Sequence, residues 1–193
     1  MHIKKYSIIF LFLFVFLQIM VTGQSCDRPV LMSGEKILTA HTKEKHLEVG
    51  VPVCFLNEHG DTVIPYNKYK FCQTARIKNI GYVYENKPKG TIICIDVNGN
   101  KLFNVFKYDN GPDYVQEGLF RITDDKGLIG FADTLGNVII KPQFKFAFPF
   151  ESGKAKVTLA GECTGISKSG SEKHYWNSPD WHYINKNGKI INK

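Results

Sequence analysis

The sequence lacks the short motifs that mark common catalytic and metal sites. It has no Gly-x-Ser-x-Gly segment for a nucleophilic serine, and no His-x-x-x-His, His-Glu-x-x-His or Cys-x-x-Cys pair for zinc or dithiol chemistry. Its five cysteines are odd in number and unevenly spaced, so we interpret them as buried hydrophobic residues and leave their pairing open: Cys26, Cys54, Cys72, Cys94 and Cys163. We therefore expect no enzyme, cofactor or metal; a hydrolase without a recognisable motif is the remaining alternative.

The N-terminus carries the one long hydrophobic run of the chain. Lys4 and Lys5 stand directly before the segment "YSIIFLFLFVFLQIMV", and small residues follow it. This order is typical of a secretory signal peptide, which we predict over residues 1–23. A membrane anchor is the alternative, but the run is short for a membrane span, which needs about 20 residues. Lipid attachment at Cys26 is disfavoured, because the aliphatic residue of lipoprotein signals is missing. We expect an exported protein, periplasmic or extracellular, with no transmembrane segment after cleavage.

Four glycines mark a repeat with a period of about 38 residues. They are Gly60, Gly99, Gly136 and Gly188, which are 39, 37 and 52 residues apart. An Asn or Asp precedes each glycine by three residues: Asn57, Asp96, Asp133 and Asn185. Such a side chain can bond to the backbone two residues on, and glycine accepts the positive φ of the turn. Each unit is therefore predicted to hold a hairpin, as in "GFADTLGNVII".

A further strand follows each hairpin. The segments "GLFRI" and "GKAKV" alternate apolar or small residues with basic ones, which predicts a strand with one buried face. With about three strands per unit, the period indicates a solenoid, a propeller or a linear array. We predict an all-β fold of antiparallel β-meander repeats stacked in an elongated array. A small closed, propeller-like arrangement is the alternative.

The segment from Gly118 to Val157 resembles the bacterial WG repeat. Units of that family read roughly Gly-Leu-Ala-x-Val, a turn, Trp-Gly-Tyr-Ile-Asp, a glycine turn, an aliphatic strand and Pro-x-Tyr/Phe. The Trp-Gly pair is degenerate in this chain, where its places hold Val53-Cys54, Ile92-Ile93, Ile129-Gly130 and Trp181-His182. The resemblance implies a binding or scaffolding module without assigned chemistry. It divides the chain into a cap segment, 24–50, and a repeat domain, 51–193, with four units of which the last is incomplete.

One stretch departs from the repeat. Residues 162–180 lengthen the last spacing to 52 residues. A loop inserted into a repeat frame is a common place for binding residues, and a plain surface excursion is the alternative. The candidate binding surface consists of the aromatic residues in and after this insertion: Tyr175, Trp176, Trp181 and Tyr183.

Together these features predict a non-enzymatic, exported protein that binds or scaffolds a protein partner at the cell envelope. A carbohydrate or cell-wall binding module is the alternative, and it depends on the same aromatic residues. The formal charge of +7 falls to +5 without Lys4 and Lys5, and the remaining basic residues are scattered. We therefore expect no nucleic-acid partner. The identity of the partner and the oligomeric state are left open.

Overall fold

The structure, a computed structural model, describes residues 36–48, 50–88, 90–164 and 175–191. The predicted signal peptide, residues 24–35 of the predicted cap and residues 165–174 of the predicted insertion lie outside these ranges.

The described residues form β-strands and no helix, so no helix there is long and apolar enough to cross a membrane. In chain order the strands are β1 (Leu38–His41), β2 (Cys54–Leu56), β3 (Thr62–Ile64), β4 (Tyr69–Cys72), β5 (Arg76–Ile77), β6 (Ile80–Glu85), β7 (Ile92–Asp96), β8 (Lys101–Val105), β9 (Lys107–Tyr108), β10 (Gly111–Pro112), β11 (Leu119–Thr123), β12 (Ile129–Asp133), β13 (Val138–Phe144), β14 (Phe146–Ala147), β15 (Lys154–Thr158), β16 (Glu162–Thr164), β17 (Tyr175–Asn177), β18 (His182–Asn185) and β19 (Ile190–Ile191).

Each of the four units is a three-stranded antiparallel meander. The meanders are β1–β2–β3, β6–β7–β8, β11–β12–β13 and β15–β18–β19. In each one, a glycine turn joins the middle strand to the last. The first strand of unit one, β1, comes from the predicted cap segment. The predicted insertion lies between the first and middle strands of unit four, and its base is the hairpin β16–β17.

Strand pairing also joins neighbouring units. Strand β8 pairs with β11, so units two and three share a seven-stranded sheet of order β13-β12-β11-β8-β7-β6-β4. Units one and four belong to four-stranded sheets of order β3-β2-β1-β5 and β14-β15-β18-β19. The prediction of an all-β fold with antiparallel sheets is confirmed. No sheet in the described part of the chain closes into a barrel.

The core consists of three clusters, each built from two successive units. Between units one and two, Phe55 and Ile64 pack with Val83 and Ile95. The clusters between units two and three and between units three and four are equally buried; their largest members include Phe103, Phe120 and Ile122 in the former and Phe131, Phe144 and Phe150 in the latter. Because every cluster spans a junction, no single meander encloses a core of its own. This arrangement fits the predicted stacked array.

Three of the cysteines in the described part of the chain lie in the protein interior. Cys54, Cys72 and Cys94 are buried, as the sequence predicted, whereas Cys163 is exposed on β16. Burial raises the pKa of the Cys94 thiol to about 12, with a smaller contribution from the nearby Asp96 carboxylate. Cys94 therefore behaves as a small hydrophobic residue rather than as a nucleophile.

All four predicted glycine turns have the same hydrogen bonds. The side-chain oxygen of the Asn or Asp accepts from the backbone two and four residues later; Asp133 Oδ1, for example, accepts from Leu135 N and Asn137 N at 2.9 Å each. The other three turns repeat this pair of bonds, from Asn57, Asp96 and Asn185. The glycines have φ values between +75° and +92°. Asp124, before Gly127, forms a fifth turn of this kind between β11 and β12.

The turn glycines also differ in what surrounds them, which gives a test of stacking. A Cβ at Gly60 would meet nothing within 4 Å, whereas one at Gly99 would lie 2.8 Å from Cγ1 of Ile64, a buried residue of the preceding unit. We expect Gly60→Ala to cost about 1–2 kcal/mol, from the positive φ alone. Gly99→Ala should cost about 1–3 kcal/mol more than Gly60→Ala, because the added methyl group overpacks the core at the junction. Urea unfolding measures both; equal losses would show that the turn of unit two does not press on unit one.

Candidate functional site

A buried ion pair holds the start of unit three against the segment that leads into unit four. Asp113 Oδ2 accepts hydrogen bonds from the backbone N and from Nε of Arg121, both at 2.9 Å, and Asp113 Oδ1 accepts from Nη2 at 2.5 Å. The remaining guanidinium nitrogen, Nη1, donates to the carbonyl oxygen of Ala147 at 3.1 Å. The two side chains are only 4% and 2% exposed. The pair thus connects β11, the loop after β10, and β14.

The position of Arg121 differs from the sequence interpretation. The alternation in "GLFRI" predicted a half-buried strand with basic residues on the open face. The structure instead buries both faces of β11, because unit four covers the side that carries Leu119 and Arg121. Its guanidinium also lies over aromatic rings, 4.1 Å from the centroid of Phe106 and 5.8 Å from that of Tyr108. The only sequence signal was a nearby aspartate, Asp113, eight residues earlier.

Aromatic side chains surround the ion pair and leave a cavity of about 440 Å³ above it. Tyr108 and Tyr114 pack edge to face on one side, with ring centroids 5.7 Å apart. Phe146 and Phe148 also line the cavity and pack edge to face, 5.2 Å apart. Two cavities of similar volume elsewhere on the described surface contain one aromatic side chain each, Tyr69 or Phe103. The first cavity, with four, is therefore the most aromatic of the three.

A second cavity, of about 270 Å³, adjoins the first. Phe148 and Pro149 line both cavities, so these two residues form a ridge between them. The remaining lining residues of the second cavity are Glu151, Lys154, Lys156 and Tyr183. We call the two cavities and their ridge the aromatic groove.

One of the four predicted binding residues lines this groove, and two more pack against residues that line it. Trp181 packs against Phe148 with ring centroids 5.6 Å apart, and Tyr183 lines the second cavity. Trp176 stacks on Phe146 at 5.2 Å and 18°, and its Nε1 donates to the carbonyl of Ala160 at 3.1 Å. The fourth residue, Tyr175, lies in β17 opposite Thr164. Sequence reasoning missed the other half of the groove, which comes from the segments around Tyr114 and Phe148.

The base of the insertion is fastened to unit four. Thr158 Oγ1 and Ser178 Oγ are hydrogen-bonded at 2.6 Å, which closes the loop between β15 and β18. Gly161, at φ +101°, leaves room for Trp176, whose Nε1 would lie 2.8 Å from an added Cβ. Trp176 is thus packed on the body of the repeat rather than presented on a free loop.

Two lysines of β15 lie over aromatic rings of the groove. Lys156 Nζ is 4.6 Å from the Trp181 ring centroid, and Lys154 Nζ is 4.9 Å from that of Tyr183. Neither lysine forms an ion pair with a carboxylate of the described residues. Lys156 occupies the repeat position of Arg121: it is the third residue after Gly153, as Arg121 is the third residue after Gly118. The equivalent cation is therefore paired with Asp113 in unit three, whereas in unit four it has no ion-pair partner among the described residues.

Open antiparallel meanders with an aromatic groove at the junction of two units define the chain as an all-β repeat protein. The family model that matches it describes the WG containing repeat, over residues 129–163, and this match confirms the resemblance to WG repeat proteins. The matched unit begins at the pair Ile129-Gly130 and includes β14 and β15, so it contributes Phe146, Phe148 and Lys156 to the groove. Neither a curated protein nor a solved structure matches the chain.

Proposed function

We propose that this protein is an exported, non-enzymatic binding module that holds a protein partner in the aromatic groove at the cell envelope. The observation that carries the proposal is the exposure of aromatic rings around one cavity: Tyr114 is 63% exposed, Tyr108 50% and Phe148 44%. Contiguous exposed apolar surface on a folded domain marks an interaction site. Tyr, Trp and Phe are also the residue types enriched in the centres of protein interfaces.

The buried polar groups of the first cavity favour a peptide over a carbohydrate there. A sugar needs partners for many hydroxyls, but Asp113 and Arg121 use their polar atoms on each other and on Ala147. Trp176, one of the two tryptophan rings beside the groove, has one face covered by Phe146 and its N–H bonded to Ala160. Apolar side chains need no such partners, so a peptide leaves fewer polar groups unsatisfied.

Site-specific cross-linking tests this proposal. A benzoylphenylalanine at position 114 should capture a protein of the envelope, whereas the same group at position 135 should not. The control is matched, because Tyr114 and Leu135 are both 63% exposed. The captured protein, once purified, should bind the wild type and lose at least about tenfold in affinity with Phe148→Ala, since buried aromatic anchors dominate interface energy.

Leu135→Ala should leave that affinity unchanged. The proposal fails if Phe148→Ala binds the captured protein as well as the wild type does. It also fails if no protein is captured and the wild type instead binds peptidoglycan or an envelope polysaccharide, which would support the carbohydrate alternative.

A further inference from the structure

The two halves of the aromatic groove differ in charge. In the first cavity, Asp113 and Arg121 form a buried pair and cancel. The second cavity has two cations, Lys154 and Lys156, and one carboxylate, Glu151, which leaves one positive charge in excess. Glu151 does not neutralise either lysine directly, because no ion pair joins them among the described residues. The groove therefore has a neutral aromatic end and a basic end.

The basic end is prepared for an anion. Each ammonium lies over an aromatic ring at less than 5 Å, which holds the long side chain in place through a cation–π contact. This contact leaves N–H donors of each ammonium for hydrogen bonds with a ligand. A carboxylate placed between Lys154 and Lys156 would thus gain charge-assisted hydrogen bonds without displacing a carboxylate of the described residues.

The neutral end is suited to an apolar residue of an extended chain. Its walls are Tyr108, Tyr114, Phe146 and the Phe148–Pro149 ridge, with Gln116 at the edge. Aromatic-lined grooves bind proline-rich segments, since a polyproline II helix is already extended and loses little conformational entropy on binding. The hydroxyl groups of the two tyrosines are of the kind that bonds to the free carbonyls of such a segment.

We infer that the groove recognises an extended peptide segment in which a proline or other apolar residue is followed by an acidic one. The apolar residue occupies the first cavity and the carboxylate meets Lys154 and Lys156 in the second. This inference rests on the proposed function and specifies the chemistry of the partner.

Two pools of fluorescent octapeptides test the inference. Both pools carry Pro-x-Pro in the middle with mixed residues elsewhere; one ends in Asp-Glu and the other in Asn-Gln, and all are amidated. By fluorescence anisotropy the acidic pool should bind the wild type at least tenfold more tightly than the amide pool. The difference should disappear in the double variant Lys154→Gln/Lys156→Gln. Phe148→Ala should weaken the binding of both pools.

The control variant is Lys70→Gln/Lys126→Gln, which removes the same charge at two exposed positions outside the groove. It should keep the preference for the acidic pool. Equal binding of the two pools, or equal loss of the preference in the control, overturns the inference. The same holds if neither pool binds while an acidic polysaccharide does. If cross-linking at position 114 still identifies a protein partner in those cases, the proposed function stands and only the inferred partner chemistry fails.

Discussion

Arg121→Met should lower the free energy of unfolding by about 3–5 kcal/mol, because it leaves the Asp113 carboxylate buried without its counter-ion. Asp113 accepts three hydrogen bonds from Arg121, and two of them come from the guanidinium group. Both side chains are nearly inaccessible to water, so solvent cannot replace the lost bonds. Urea unfolding monitored by tryptophan fluorescence, with Trp176 and Trp181 close to the junction, measures the loss.

The double variant Asp113→Leu/Arg121→Met distinguishes the cost of an unpaired buried carboxylate from the loss of the ion pair itself. It should recover much of the loss, since two apolar residues leave no buried charge. Lys101→Met is the surface control: its Nζ pairs with Glu85 at 3.2 Å, but the side chain is 40% exposed. Exposed pairs contribute about 0–1 kcal/mol, so this change should be nearly silent. A loss no larger for Arg121→Met than for Lys101→Met would mean that water reaches the pair.

The turns could be predicted from the sequence because their chemistry is local. Each needs an Asn or Asp, a glycine three residues later and strand-forming residues on either side, as at Asp133 and Gly136. All the hydrogen bonds that define the turn lie within five residues. The meander inside each unit then follows, because such a turn leaves the adjoining strands antiparallel.

Pairing between units could not be predicted in the same way. The β8–β11 ladder joins Val105 to Ile122 and Asn104 to Thr123, across the loop that contains β9 and β10. Both strands have apolar residues that suit either an edge or a central strand, so their pattern does not select a partner. Strand β11 also has to be covered on its second face by unit four before Arg121 is buried. Such burial depends on tertiary packing rather than on alternation.

The candidate site was half predictable for a related reason. Trp176 and Trp181 stood out as aromatic residues in and directly after residues 162–180, which depart from the repeat. Tyr114 and Phe148 did not, since they lie in segments that the repeat pattern explains as links between strands. The groove forms only where the segments that precede units three and four meet, and no spacing in the sequence indicates that these segments are neighbours.

Gly130→Ala should destabilise the protein by about 3 kcal/mol, near the upper end for overpacking, although alanine ordinarily stabilises the interior of a strand relative to glycine by about 0.5–1 kcal/mol. Gly130 is the glycine of the Ile129-Gly130 pair, and its φ is not in the left-handed region. An added Cβ would collide with the carbonyl oxygen of Ile140 and lie 2.6 Å from the nitrogen of Pro142. Both are backbone atoms of β13, at the point where its pairing with β12 is irregular.

Gly81→Ala is the matched control for this clash. Gly81 is also a strand glycine without positive φ, but its added Cβ would meet side-chain atoms of Ile77, the nearest at 2.5 Å. A side chain can change rotamer, whereas the β13 backbone is held by its ladder to β12, so Gly130→Ala should cost more than Gly81→Ala in urea unfolding. A stabilised Gly130→Ala variant would show that the β13 backbone can move away at the point where its pairing with β12 is irregular. In that case the close approach of β13 would not explain why this unit has a glycine at the Trp-Gly position.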